Sequence, residues 1–281
     1  VTARLVDEME PYIFALMLLA CARRRGDINL HKNDRVFYGM APPPYATGSM
    51  ARAFPHELFK MLPELEHAER MSLEERVKRG FDMALKEGLD LNFAMSSMAV
   101  AIGKRFSEQG KARTGLKEFL AKDPAVQARL AKAMIKAKLA HRDMMPRDLW
   151  NVKGLVTYGI DGEIFRDKIH DMWGVYPLDF HGCTEALIMA MQTWDHQTMT
   201  FVPNLQFFEF IPEQEALRSR QDPDFKPRTL LMNELVPGNY ELVITSFHGG
   251  PFLRYRLGHL VKIHSLGNEK LGISIPQMSF I

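Results

Sequence analysis

Apolar residues recur at three- and four-residue spacing over positions 3–24, 73–87, 93–106 and 115–139, a period that predicts helices in the first half of the chain. Gly88 and Gly110 stand where helices of this kind stop. Positions 34–40 predict a short strand. Pro42, Pro43 and Pro44 then force the chain out of regular structure, because a proline ring leaves no backbone N–H to donate.

The texture changes near Trp150. A strand is predicted at 154–158, an amphipathic helix at 162–173, a strand at 176–180 and a helix at 184–192, and this β-α-β-α order favours a parallel sheet flanked by helices. Beyond it the chain becomes strand-rich, at 200–202, 206–211, 240–246, 252–255 and 260–264, with Pro237-Gly238 as a turn and the polar stretch 213–228 as a surface loop. The fold class expected is α/β: a parallel-rich sheet flanked by helices, plus a smaller antiparallel β subdomain. The segments are 1–150, rich in helix, 151–212, β-α-β in pattern, and 213–281, rich in strand.

Composition narrows the function classes. The chain has 281 residues, 46% hydrophobic and 25% charged, as in an ordinary globular protein. Its formal charge of +2 gives no electrostatic reason to expect a nucleic-acid partner. The two cysteines, Cys21 and Cys183, exclude a cysteine-rich metal site and suit a reducing cytoplasm. The apolar run 12–22 is about half the roughly 20 residues that cross a bilayer, so it reads as a buried helix and no membrane partner is expected. Asp7, Glu8 and Glu10 stand where a secretory leader would be basic, and a start at Val1 inside a helical pattern predicts a piece of a longer protein.

None of the ten histidines has the spacing of a zinc-binding helix, and no Gly-x-Ser-x-Gly occurs. Cys183 lacks an evident base, which argues against thiol hydrolysis. Methionines such as Met95, Met98 and Met134 fill core space, with a minority left to line an apolar acyl pocket.

Two segments carry candidate chemistry. Asp179-Phe180-His181-Gly182-Cys183-Thr184-Glu185 runs from a predicted strand through glycine into a predicted helix start, where backbone amides favour phosphate oxygens. Thr184 would add a hydroxyl and Glu185 a magnesium-binding carboxylate. Equally, Thr184 would be a simple N-cap and Glu185 a complement to the helix dipole. Downstream, Arg254 and Arg256 flank Tyr255 on a predicted strand and share one face, suited to a phosphate or carboxylate, or to solvent at a sheet edge.

Together these segments resemble the adenylate-forming superfamily of acyl-CoA synthetases, adenylation domains and luciferases. His181-Gly182-Cys183-Thr184-Glu185 is similar to its aromatic-Gly-x-Thr-Glu motif, and 240–245 followed by Arg254-Tyr255-Arg256-Leu257-Gly258 to a later strand-turn-strand segment. The run Val202-Pro203-Asn204-Leu205-Gln206-Phe207-Phe208-Glu209-Phe210-Ile211-Pro212 resembles the auxin-responsive Gretchen Hagen acyl-acid amido synthetases. The Arg-Tyr-Arg core is shared with phenylacetate-CoA ligases. Similarity spans about Gly154 to the C-terminus and is weaker over 34–58.

The resemblance implies ATP-dependent activation of a small-molecule carboxylic acid to an acyl-adenylate, followed by transfer to CoA or to an amine or amino acid. It implies ATP and Mg2+ as cofactors, with CoA for the thioester branch. By the same likeness, segment 151–212 is the nucleotide-binding part, with Gly159 and Ile160 near the adenine and acyl sites, His181 against the adenine, and Gly182 and Cys183 close by. Thr184 would contact the α-phosphate, Glu185 would hold the metal, and Arg256 would neutralise charge.

Two departures stand out. Relatives usually carry Asp where this chain has His259, and a neutral imidazole offers one acceptor nitrogen where a carboxylate offers two oxygens. No Ser/Thr/Gly-rich loop ending in Lys is visible, nor the mobile C-terminal domain of full-length relatives. Both departures leave open an alternative, a non-catalytic nucleotide- or acyl-binding module.

Overall fold

The computed structural model describes residues 2–42, 45–111, 123–159 and 161–281, which form two compact units. One comprises residues 10–178, the other the start of the chain through Met9 together with 179–281. The break falls inside the segment 151–212 expected from sequence.

The unit 10–178 is a parallel sheet layered with helices. Its strands are β1 (Asp34–Tyr38), β2 (Phe59–Leu62), β3 (Leu91–Met95) and β4 (Gly154–Tyr158), in the order β2-β1-β3-β4. The longer helices are α1 (Glu10–Cys21), α2 (Leu73–Glu87), α3 (Ser96–Lys111), α4 (Pro124–Leu139) and α5 (Gly162–Trp173). α1 lies so close to β4 that a Cβ on Gly154 would sit 2.8 Å from the carbonyl oxygen of Ala20. Phe37, Leu85, Ala99, Leu130, Leu155 and Ile169 belong to one core built from strands and helices alike. Within it Trp150 and Trp173 stack at 6.3 Å, and their indole N–H groups donate to the carbonyls of Ala84 and Ala99. Buried polar atoms of this kind need a partner, and here the helix backbones supply it.

Charged groups in this unit are closely paired. Lys153 donates to both carboxylate oxygens of Asp34, at 2.7 and 2.8 Å, and Arg35 forms a fork on Asp90. Arg76 is fully buried; its guanidinium donates to the carbonyls of Ala68, Met40 and Met71 and lies over the Tyr38 ring.

Two expectations change here. The pattern over 3–24 divides into a short helix, Ala3–Asp7, and α1. Pro11, which cannot donate within a continuing helix, is tolerated in the first turn of the new one. The expected helix 93–106 begins as β3, because Leu91, Asn92, Phe93 and Ala94 are all buried, and a strand covered on both faces has no alternation to read. Residues 112–122, part of the expected helix 115–139, and Pro43 and Pro44 lie outside the described residues.

The second unit is antiparallel. Its strands are β5 (Leu178–Cys183, beginning at the unit boundary), β6 (Leu187–Met191), β7 (Met199–Phe201), β8 (Phe207–Pro212), β9 (Gly238–Thr245), β10 (Tyr255–Ser265) and β11 (Gln277–Phe280). Their order is β5-β6-β7-β11-β10-β9-β8. Phe201, Phe208, Phe210, Leu242, Ile244, Val261 and Met278 form its core. On the other face of β8 and β9, the helix α6 (Glu213–Gln221) covers Ile211 and Val243 with Ala216. That helix occupies the first part of the stretch 213–228 expected as loop.

The main correction is at 184–192. These residues are not a helix: β6 turns back antiparallel on β5, so the β-α-β-α reading ends at β5. All five residues of β6 are buried, and a short continuous apolar run does not distinguish strand from helix. No helix among the described residues is long and apolar enough to cross a membrane.

Candidate functional site

The hairpin β5-β6 and the strand β10 position most of the residues singled out in the sequence. At the hairpin tip, Thr184, Glu185 and Ala186 form the turn, Thr184 exposed and Glu185 half-buried. The expected helix start, with its row of free amides, is absent; Thr184 and Glu185 are instead presented by a tight turn. Leu187 leaves it at φ +58°, a left-handed conformation rarely adopted by a branched residue. Gly182 allows the turn to close: a Cβ there would lie 1.9 Å from the carbonyl oxygen of Leu187. A bulge shifts the register between His181 and Gly182, since His181 faces Ala190 whereas Gly182 faces Ile188.

A second irregularity lies on β10. Arg256 pairs with Val243 and Leu260 with Glu241, so Leu257, Gly258 and His259 stand opposite Leu242 alone. Gly258 takes φ +73°, open to glycine at no steric cost. This bulge brings His259 to His181, whose strand is several ladders away. His181 Nε2 and His259 Nδ1 are 3.2 Å apart, and the phenyl ring of Phe280 on β11 stacks on His181 at 4.7 Å. His259 meets the same phenyl ring edge-on.

Electrostatics separate the two imidazoles. His181 is 7% exposed, and burial, reinforced by His259, pushes its pKa down to about 3, so it is neutral at physiological pH. His259 is also lowered by burial, with the Glu185 charge opposing the shift. The Cys183 thiol is pushed up to about 12, first by burial and then by Glu185. The pKa fall that a helix start would give Cys183 therefore does not occur, and the thiol is a poor nucleophile.

The arginines have different work. Arg256 forks onto Glu241 at 2.9 and 2.6 Å and also donates to Ser219. Arg254, at φ +47° just ahead of β10, forks onto Glu209 at 3.0 and 2.9 Å. Both carboxylates are buried, Glu241 to 2% exposure, and a buried carboxylate demands such partners. Burial opposes charge on Glu241, but Arg256 and Arg220 outweigh it and hold its pKa below the usual range. The sequence expected both arginines on one face, and both do reach carboxylates on the side covered by α6. Arg256 is thereby committed within the unit.

Gly159, at φ +129° after β4, belongs to the parallel unit, and Ile160 lies outside the described residues. Sequence reasoning missed Phe280 and Glu241. Phe280 lies near the chain end in a segment without a motif; Glu241 reads as an outward residue of an alternating strand, and only its arginine partners mark it. Among the described residues no group of three or more metal-ligating side chains converges. A lone Glu185 still fits Mg2+, which takes one or two protein carboxylates and completes its shell with water and phosphate oxygens.

This fold is that of adenylate-forming enzymes. A solved 2-hydroxyisobutyryl-CoA ligase, in an open conformation with 2-HIB-AMP and CoA, superposes over 98% of this chain and 51% of its own with a TM-score of 0.57 at 15% identity. The same ligase in its postadenylation state with R3-HIB-AMP gives 0.56 at 14% identity, over 98% of this chain and 46% of its own. The antiparallel unit is more specific: residues 199–281 match the GH3 family central domain. A jasmonoyl-L-amino acid synthetase of Nicotiana attenuata is 36% identical over 85 residues, 30% of this chain and 13% of that protein. The chain thus spans about half the length of these solved relatives and a smaller part of the curated one. The resemblance to adenylate-forming enzymes read from the sequence holds in these comparisons.

Proposed function

We propose that this chain is part of an ATP-dependent ligase that activates a carboxylic acid as an acyl-adenylate and passes the acyl group to an amine or to CoA. The observation that carries this reading is the approach of Glu185, on the hairpin turn, to His259 on its bulge, the latter inside the segment 199–281 that matches the GH3 central domain. In the reaction the acid's carboxylate oxygen attacks the α-phosphorus of ATP, the bond to the β-phosphate oxygen breaks, and pyrophosphate leaves. The acceptor then attacks the acyl carbon and releases AMP. For such transfers a protein chiefly positions reactants and neutralises charge.

Thr184 supplies a hydroxyl to the α-phosphate and Glu185 holds Mg2+, which offsets phosphate charge when bound. Arg256 serves this site by anchoring β10 beside its bulge through Glu241. Likeness to an amino acid synthetase favours an amine acceptor. Free Cys21 and Cys183 suit a reducing cytoplasm.

The test is ATP–pyrophosphate exchange by the full-length protein against a panel of carboxylic acids, alongside calorimetry of Mg2+–AMP binding. Acid-dependent exchange that falls at least tenfold in Glu185→Ala is expected. Tight AMP binding without exchange for any acid would replace this reading with that of a nucleotide-binding module.

A further inference from the structure

Charge is distributed unevenly over the helices of the parallel unit. α2 mixes the acidic Glu74, Glu75, Asp82 and Glu87 with an equal number of basic residues, so its charges balance along its length. α4, of similar length, carries Arg129, Lys132, Lys136 and Lys138 and no acidic residue. A helix face that meets only water gains from opposite charges at i,i+4 and is weakened by like ones. Val126, Leu130, Ala133 and Ala137 turn α4 toward the core, and Arg129 is drawn in beside them, donating to the carbonyls of Ala84 and Leu85. At about 100° per residue, Ala128, Lys132, Ile135 and Leu139 then line up on the opposite face, flanked by Lys136 and Lys138. All six are exposed, Ile135 to 61% and Leu139 to 77%. Carboxylates on neighbouring elements are engaged elsewhere: Asp123 with Lys86, Glu87 with Lys60 and Asp148 with Arg142. Among the described residues none is paired with Lys132, Lys136 or Lys138.

We propose that this face of α4 is a docking surface for an acidic amphipathic helix of another protein. The partner's carboxylates would meet Lys132, Lys136 and Lys138, and its apolar side chains Ile135 and Leu139. Charge complementarity selects this occupant. A second copy of the chain, placed on the same face by a two-fold axis, would set lysine against lysine. A membrane surface fits less well, because helices that lie on one bury a broad apolar face, and the broad apolar face of α4 is turned into the core. Nucleic acid would use the lysines and leave Ile135 and Leu139 in water. One helix face is small beside a permanent interface, so the contact is transient: the lysines steer the encounter and the apolar i,i+4 pair holds it. The surface uses no residue assigned to the reaction and stands independently of the proposed function.

The test is fluorescence anisotropy of a dye-labelled synthetic helical peptide, with leucines at i and i+4 flanked by glutamates, titrated with the full-length protein. Saturable binding with a Kd of about 10–100 μM is expected at low salt, about tenfold weaker at roughly 0.3 M salt. Lys132→Glu combined with Lys136→Glu should abolish it. Ile135→Ser combined with Leu139→Ser should weaken it about tenfold at unchanged charge. Lys132→Arg combined with Lys136→Arg should bind like the wild type. The substituted positions are exposed, so urea midpoints should match the wild type throughout. Absence of saturable binding overturns the proposal. Equal binding of a control peptide with serines in place of the leucines also overturns it, since the face would then be unspecific charge. Tighter binding to phosphatidylglycerol-containing vesicles or to a DNA duplex than to the peptide overturns it in favour of a membrane or a nucleic acid.

Discussion

In the parallel unit three charged side chains are held by fixed partners: Lys153 by Asp34, Arg35 by Asp90, and Arg76 by three carbonyls. The antiparallel unit does the same with Arg254 and Arg256, yet leaves Thr184, Glu185 and His259 with hydrogen-bonding capacity unused, at two points where its ladders are irregular. The contrast separates charged groups that hold the fold from the polar groups proposed above to meet the nucleotide. The charged groups that hold the fold have their partners within it, whereas those of the hairpin turn and the bulge keep capacity open on a rigid support.

The largest effect expected from breaking this contrast is on the closed side. Arg76→Ala removes a fully buried side chain and leaves three carbonyls without their donor, so urea unfolding should lose about 4 kcal/mol. Gly182→Ala drives a methyl group into the Leu187 carbonyl and should cost about 3 kcal/mol by opening the hairpin. Arg256→Ala leaves buried Glu241 with Arg220 at 3.5 Å as its remaining cation, and about 2 kcal/mol should be lost, measurable as a shift in urea midpoint.

Acid sharpens the comparison. His181 has its pKa lowered to about 3 in the fold against about 6.5 in the unfolded chain, so between these values the unfolded state binds the extra proton. Its contribution is whole above pH 6.5 and declines as pH falls from there toward 3, by up to about 1.4 kcal/mol per pH unit. Urea titrations at pH 7.5, 6 and 5 should show this decline, and His181→Phe should flatten it. Smallest in stability is Glu185→Ala, expected within about 0.5 kcal/mol of wild type, while Mg2+–AMP affinity falls tenfold or more. A large loss of stability in Glu185→Ala would assign that carboxylate to the fold.

Legibility in the sequence followed burial geometry. Helices α2 and α5 were readable because one stripe faces a core and the other water, and Gly154–Tyr158 because its apolar run is short and bounded by glycines. Strands β3 and β6 were not, since cover on both faces removes the alternation that identifies a strand. The residues His181, Thr184, Glu185, Arg256 and His259 were singled out from motif likeness, but the presentation of Thr184 and Glu185 was misread: a hairpin turn replaces a helix start, and the carboxylate that Arg256 reaches is the protein's own Glu241. Phe280 and the bulge at 257–259 depend on ladder register, which spacing along a chain does not encode.

The register across that bulge has a consequence for how position 259 can change. From Arg256 to Leu260 the strand advances four residues while its neighbour advances two, from Val243 to Glu241. The surplus is even, so inward and outward directions stay in phase on both sides, and Val261 and Ile263 still enter the core. The strand that carries His259 therefore keeps its phase whichever side chain stands at 259, so a substitution there alters the contacts of that one position without re-threading the strand.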